Sequence, residues 1–300
     1  MTITIDPFAG FCFGVVLAIS TAEKELSSTK NLLCLGEIVH NRKELDRLAK
    51  NGLKIIDYER FKNLEDKKVL IRAHGEPPST YQIAQQNNLQ IIDATCPIVL
   101  KLQKKIRNGY EEMQKKEGKI YIYGKKGHAE VIGLEAQANF EAVVIENEDD
   151  ISQIDFDKPI RLYSQTTKSK DGYRKLVENI TEAISAKTDD FIAFDTTCKI
   201  VEQRSQKIVE FSRQHDLIFF VSDKNSSNGK ELFDLISKNN PNSYFISGIE
   251  DLEALIKIQF STFASQLSIG ISGATSTPFW LLEDVKNCII NGFAVLHCLI

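Results

Sequence analysis

Three cysteines stand where the sequence could do chemistry. Cys96 lies in DATCPIVLKLQKKI, residues 93–106, and Cys198 in DTTCKIVEQRSQKI, residues 195–208. The two stretches start 102 residues apart and share seven of fourteen positions. Cys12 sits in a looser version, AGFCFGVVLAI. Three thiolates can hold zinc with a histidine as fourth ligand. They can also hold a cubane iron-sulfur cluster with one iron left open for substrate. Spacing alone leaves both open, because widely separated cysteines lack the signature of a compact CxxCxxC run. Cys34, inside the apolar run NLLCLG, and Cys288 and Cys298 near the end read as small core residues.

Other polar groups follow apolar runs in the same way. His40 follows LLCLGEIV, His74 follows KVLIRA, and His128 and Glu130 lie in GKKGHAE after KIYIY. Thr166 and Thr167 lie in SQTTKS after IRLYS, NSSN (225–228) follows DLIFFVS, and Ser276 lies in GATSTP after LSIGIS. One histidine after a strand is usually a cap or a surface group, but three of the five histidines falling there point to a shared pocket. Imidazole donates well to phosphate oxygens. NSSN reads either as a plain turn and helix cap or as an anion cradle of hydroxyls, amides and free helix N–H groups. A Glu two residues after a His suits proton transfer if both face a buried site.

The elements that position these groups are legible as β-branched or apolar runs alternating with helical periods, the pattern of parallel βαβ units. Eleven strands are expected: TITI, LLCLG, KVLIRA, LQIIDA, KIYIY, AVVIE, IRLYS, FIAFD, DLIFFVS, NSYFIS and LSIGIS. Asn41 can cap NRKELDRLAK, Gly52 can end it, and Pro278 suits the first turn of the last long helix. Ligands of open α/β sheets bind beyond the carboxyl ends of the strands, where all the groups above stand. The repeat suggests three α/β modules at 1–95, 96–195 and 196–300, with a common pocket if they face one another.

Composition excludes several classes. With 37 Lys plus Arg against 41 Asp plus Glu, a net charge of -4 offers no general attraction for nucleic acid. The start MTITIDPFAGF lacks a basic, apolar leader, the longest apolar run is too short for a bilayer, and the fourth residue from the end is His297 rather than a prenylated Cys. A cytoplasmic protein without membrane contact is expected. There is no GxGxxG, no P-loop and no HExxH, so dinucleotide, nucleotide and common zinc-hydrolase readings lack an anchor.

GFCFGV, EIVHNR, AHG, DATCP, GHAEV, QTT, the Cys198 segment, KNSSN and SGATSTP occur in that order along the chain. In this it resembles the 4-hydroxy-3-methylbut-2-enyl diphosphate reductase family over nearly its whole length. The resemblance implies three modules about a pseudo-threefold axis, each giving one cysteine, Cys12, Cys96 or Cys198, to a 4Fe-4S cluster. It implies that His40, His74, Ser226, Asn228 and Ser276 hold the substrate's diphosphate, with His128 and Ser227 close by. Glu130 becomes the proton source, and Thr166 and Thr167 hold the substrate hydroxyl and relay the proton. The implied reaction removes that hydroxyl as water and gives isopentenyl and dimethylallyl diphosphate. No flavin or nicotinamide motif is visible, so electrons must arrive from outside, and the resemblance implies reduced ferredoxin or flavodoxin as their source.

The chain departs from the family pattern at Ala129, where Pro is common, at Ala274, a usual Gly position, and in KIVEQRSQ after Cys198, although Arg204 is retained. These changes touch loop conformation rather than the side chains that carry chemistry. Two alternatives stay open at this point: a zinc protein using the three thiolates and His128, and a non-catalytic diphosphate-binding module with cysteines in its core.

Overall fold

The computed structural model describes residues 2–184, 190–259 and 267–297. The chain opens with β1 (Thr2–Ile5) and α1 (Phe13–Thr29). There follow β2 (Leu32–Leu35), α2 (Arg42–Lys50), β3 (Leu53–Ile56), α3 (Tyr58–Lys62), β4 (Lys68–Ile71), α4 (Pro78–Gln86), β5 (Gln90–Asp93) and α5 (Pro97–Lys115). The middle contains β6 (Lys119–Tyr123), α6 (Ala129–Glu135), β7 (Val143–Ile145), β8 (Ile160–Ser164), α7 (Lys170–Ile184), β9 (Phe191–Ala193) and α8 (Lys199–Arg213). The last part holds β10 (Leu217–Val221), α9 (Ser227–Asn239), β11 (Ser243–Ile246), α10 (Ile249–Gln259), β12 (Ser268–Gly273) and α11 (Phe279–His297).

The strands form three four-stranded sheets in the orders β3-β2-β4-β5, β7-β6-β8-β9 and β11-β10-β12-β1. Every pairing is parallel. The expected three α/β sheets are therefore present, and they share one strand order. In the first two sheets the edge strand beside β4 or β8 is the one that runs on to Cys96 or Cys198. In the third, that place is taken by the first strand of the chain, which runs on to Cys12. TITI, grouped above with the first module, pairs instead with β12, Ile3 opposite Ile269 and Ile5 opposite Ile271. Local period finds a strand; it does not find a partner more than two hundred residues away.

The chain divides into two compact units, one of Met1–Val16, Val39–Lys50 and Gln203–Ile300, the other of Leu17–Ile38 and Asn51–Glu202. In the first unit, alternation along β10 separates two cores. Leu217, Phe219 and Val221 pack with Leu281, Leu282, Val285 and Ile289 of α11. Ile218 and Phe220 face Ile208 and Phe211 of α8 and Leu232 and Ile236 of α9. In the second unit, β6 does the same: Ile120 and Ile122 meet Leu102 and Ile106 of α5, and Tyr121 meets Tyr173, Leu176 and Ile180 of α7. Strands covered on both faces read as continuous apolar runs, which is why they are plain in the sequence.

One strand was missed. LKII of β3 is short, lies at a sheet edge and alternates buried, exposed, exposed, buried, so it carries no clean period. Asn41 caps α2 as expected, its Oδ1 accepting the Glu44 N–H at 3.1 Å. Gly52, two residues past that helix, has φ +105°, and a Cβ there would lie 2.1 Å from the Lys30 carbonyl oxygen, so only glycine fits. Pro278 stands immediately before α11. Cys34 is fully buried, as expected of a core residue, and Cys288 packs against the α11 core. Cys298 lies outside the described residues. Among the described residues no helix is long and apolar enough to cross a membrane.

Candidate active site

Each of the three cysteines occupies the same station. Cys12, Cys96 and Cys198 immediately precede α1, α5 and α8, and their carbonyls accept the first helical hydrogen bonds from Val16, Leu100 and Glu202. Each cysteine N–H donates to a carbonyl in the loop after the neighbouring strand: Thr275 after β12, Ala73 after β4 and Thr166 after β8. The Asp that opens DATC and DTTC explains the repeat. Asp93 Oδ1 accepts from Thr95 N at 2.9 Å and from its hydroxyl, and Asp195 does the same for Thr197 at 3.1 Å. Asp6 takes this role in the third sheet, accepting from Phe8 N at 2.9 Å. A carboxylate that closes the turn two residues on holds the loop without help from secondary structure.

These stations suit metal-binding thiolates. All three thiols are free of disulfides, Cys12 and Cys96 are half-buried, and Cys198 is 9% exposed. The partial positive charge at a helix N-terminus favours a thiolate. Cys34 is the contrast: sealed in the core, its thiol is pushed up to about 12 by burial. Each of the Cys12, Cys96 and Cys198 thiols by itself therefore suits ligation of a soft metal.

The remaining groups assemble within each unit. In the unit containing Cys12, Ser226 caps α9 through its hydroxyl, which accepts from Gly229 N at 3.1 Å and lies 3.2 Å from the Ser276 hydroxyl. Asn228 is thus a first-turn residue and not the cap. Its Oδ1 accepts from Thr275 N at 3.2 Å and from the Thr275 hydroxyl at 2.8 Å, leaving the amide N–H groups to offer a ligand. His40 and Asn41 lead into α2, whose Arg42 N–H donates to Asp223 Oδ2 at 3.2 Å, while the Asp223 carbonyl accepts from Ser226 N. The loops of His40, of Ser226, Ser227 and Asn228, of Ser276 and of Cys12 are thereby tied into one surface rich in donors.

The other unit links Cys96, His74, His128, Glu130, Thr166 and Cys198. The Ala73 carbonyl that receives the Cys96 N–H adjoins His74, whose ring meets that of His128 edge-on at 5.2 Å between centroids. His128 caps α6, its Nδ1 accepting the Glu130 N–H at 3.2 Å, so the neutral ring carries its proton on Nε2. Glu130 is 1% exposed. Thr166 donates to it twice, from N to Oε1 at 2.7 Å and from the hydroxyl to Oε2 at 2.8 Å. Burial raises this carboxyl to about 7, against the opposing pull of the two Thr166 hydrogen bonds. A carboxyl of that kind is partly protonated near neutrality and can give its proton away.

The sequence reading missed two residues that organise these loops. Gln165 is 2% exposed; its Oε1 accepts from Lys125 N and its Nε2 donates to the Thr167 hydroxyl, both at 3.0 Å. Thr275 ties Cys12 to Asn228. Both stand inside motifs already noted, so a buried polar residue beside a functional one was the available signal.

The family model described as LytB protein matches residues 3–290. The chain belongs to the LytB family. LytB-family relatives cover almost its whole length. The 4-hydroxy-3-methylbut-2-enyl diphosphate reductase of Bacteroides fragilis is 50% identical over 96% of this chain and 97% of its own. That of Phocaeicola vulgatus is 49% identical over 97% and 99%. Among solved structures, the E-1-hydroxy-2-methyl-but-2-enyl-4-diphosphate reductase of Plasmodium falciparum superposes with a TM-score of 0.80 at 26% identity, covering 95% of this chain and 87% of that one. A second, described as the terminal enzyme of the non-mevalonate pathway, gives 0.71 at 28% identity over 97% and 100%.

Proposed function

We propose that this LytB-family chain is a 4-hydroxy-3-methylbut-2-enyl diphosphate reductase. In the proposed reaction two electrons and two protons convert the allylic alcohol to isopentenyl or dimethylallyl diphosphate and water. Cys12, Cys96 and Cys198 are the proposed ligands of a 4Fe-4S cluster, supported by their matching local stations at helix N-termini. When bound, such a cluster supplies electrons one at a time, and an iron without a cysteine ligand supplies Lewis acidity.

The chain's own residues have the remaining work. Ser226, Ser227, Asn228 and Ser276 present hydroxyl and amide donors at the start of α9, a setting that suits a diphosphate. His40, His74 and His128 add imidazole donors. Thr166 and Thr167 hold the substrate hydroxyl, and Glu130 gives its proton to the departing oxygen. The observation that carries this reading is the doubly held, buried Glu130, a carboxyl raised to about 7. The substrate's own diphosphate, folded back over the allylic carbons, is the proposed donor of the second proton, to carbon. We assign electron delivery to reduced ferredoxin or flavodoxin and place the protein in the cytoplasm.

Iron and acid-labile sulfide are the first test. Anaerobically purified protein should carry roughly four of each per chain, and Cys96→Ser should lose them. Stoichiometric zinc in colourless protein, or no metal in either, would overturn the cluster assignment.

A further inference from the structure

Arg204 is a buried cation that the proposed chemistry does not use. It lies on α8 and is 7% exposed. Its Nη1 donates to the Gly10 carbonyl at 2.8 Å, and its Nη2 donates to the Gly273 carbonyl. Its Nε is buried without a hydrogen-bond partner. Among the described residues no carboxylate forms an ion pair with it. Burying an arginine on two neutral oxygens alone is costly, and such an arrangement normally needs negative charge nearby.

The two oxygens are not arbitrary. Gly10 lies two residues before Cys12, at φ +105°, in the loop that β1 feeds. Gly273 ends β12, and the next residues carry Thr275, which receives the Cys12 N–H, and Ser276. One planar guanidinium thus spans the limb that presents Cys12 and the limb that presents Ser276. Negative charge on Asp6, and on Cys12 when it is a thiolate, opposes the effect of burial on the guanidinium. Asp6 is already committed, accepting from Phe8 N at 2.9 Å and from the Ser272 hydroxyl at 2.7 Å.

We infer that Arg204 is a positioning residue for Cys12, strapping its loop to the end of β12 and setting a permanent positive charge toward whatever negative group the Cys12 sulfur holds. The inference rests on the cluster reading above. A fixed cation favours the form with one more electron, so it raises the reduction potential of a group bound at Cys12. Lysine can keep the charge but cannot hold both carbonyls in a rigid fork.

The test compares wild type, Arg204→Lys and Arg204→Met, each purified anaerobically and shown to be folded by circular dichroism. The readouts are iron per chain and the reduced fraction of the cluster at a series of fixed potentials. Arg204→Met should have a reduced-to-oxidised ratio about tenfold lower than wild type at a given potential. Arg204→Lys should return most of that ratio while losing iron faster on dilution than wild type, because the strap is gone. An iron-loaded Met variant with the wild-type ratio, or a Lys variant shifted as far as Met, would overturn the role of Arg204 alone. Should Arg204→Met fail to fold, a Lys variant with an unchanged ratio and faster iron loss supports the inference, and one with a tenfold shift overturns it. Wild-type protein without iron would instead overturn the cluster reading.

Discussion

Thr166 grips both oxygens of Glu130, with its N–H 2.7 Å from Oε1 and its hydroxyl 2.8 Å from Oε2. The grip stabilises the carboxylate, while burial stabilises the acid and prevails, taking the group from 4.5 to about 7. The folded protein thus retains a proton that the unfolded chain releases between those values. Its contribution to stability is complete below about pH 4.5 and is lost as pH rises to about 7. Glu130→Gln should therefore be more stable than wild type at pH 8, by about 3 kcal/mol, with the gap closing toward pH 4. Thermal melting across this range tests the sign, and a gap independent of pH would contradict it.

Thr166→Val removes the hydroxyl donor and keeps the N–H. Losing a hydrogen bond to the charged form raises the Glu130 carboxyl further, by about one unit. The alkaline limb of the turnover profile should move to higher pH as overall rate falls. A profile lowered without that shift would mean that the hydroxyl does not act on Glu130.

Gln165 joins the Lys125 N–H to the Thr167 hydroxyl from a site 2% exposed. Replacing it by Leu leaves polar groups without this partner, at a cost of about 1–3 kcal/mol. Amide exchange should quicken at residues 124–128 ahead of β6, the strand that leads into them. Uniform acceleration would point to general loosening instead of a local tie.

Asp93 and Asp195 close the turns that present Cys96 and Cys198. Their alanine variants should lose iron on gel filtration as well as about 1 kcal/mol of stability. Asp57→Ala is the control: its carboxylate caps α3 at 2.7 Å from Arg60 N, far from any cysteine in sequence, and should lose stability alone. Equal iron loss in all three would show a nonspecific effect.

The doubled D-x-T-C stretch exposed two of the three cysteine stations because both the Asp and the Thr are side chains with jobs in the turn. The third was fainter, since Asp6 works through a longer loop and its strand pairs with β12 at the far end of the chain. β3 escaped notice because LKII runs buried, exposed, exposed, buried and so shows no period of two. Arg204 could be noticed but not interpreted: its partners are main-chain carbonyls, which any residue supplies and no sequence motif records. The raised carboxyl of Glu130 needed the fold, because burial and not residue type produces it.

Turnover is the most direct check of the proposed function. Anaerobic wild-type protein, given 4-hydroxy-3-methylbut-2-enyl diphosphate and a chemically reduced viologen, should consume the substrate and release isopentenyl and dimethylallyl diphosphate. Glu130→Gln, with its iron intact, should be slower by about a hundredfold or more. Iron-loaded wild-type protein that binds the substrate but forms neither product, or a Glu130→Gln variant at the wild-type rate, would contradict the assignment.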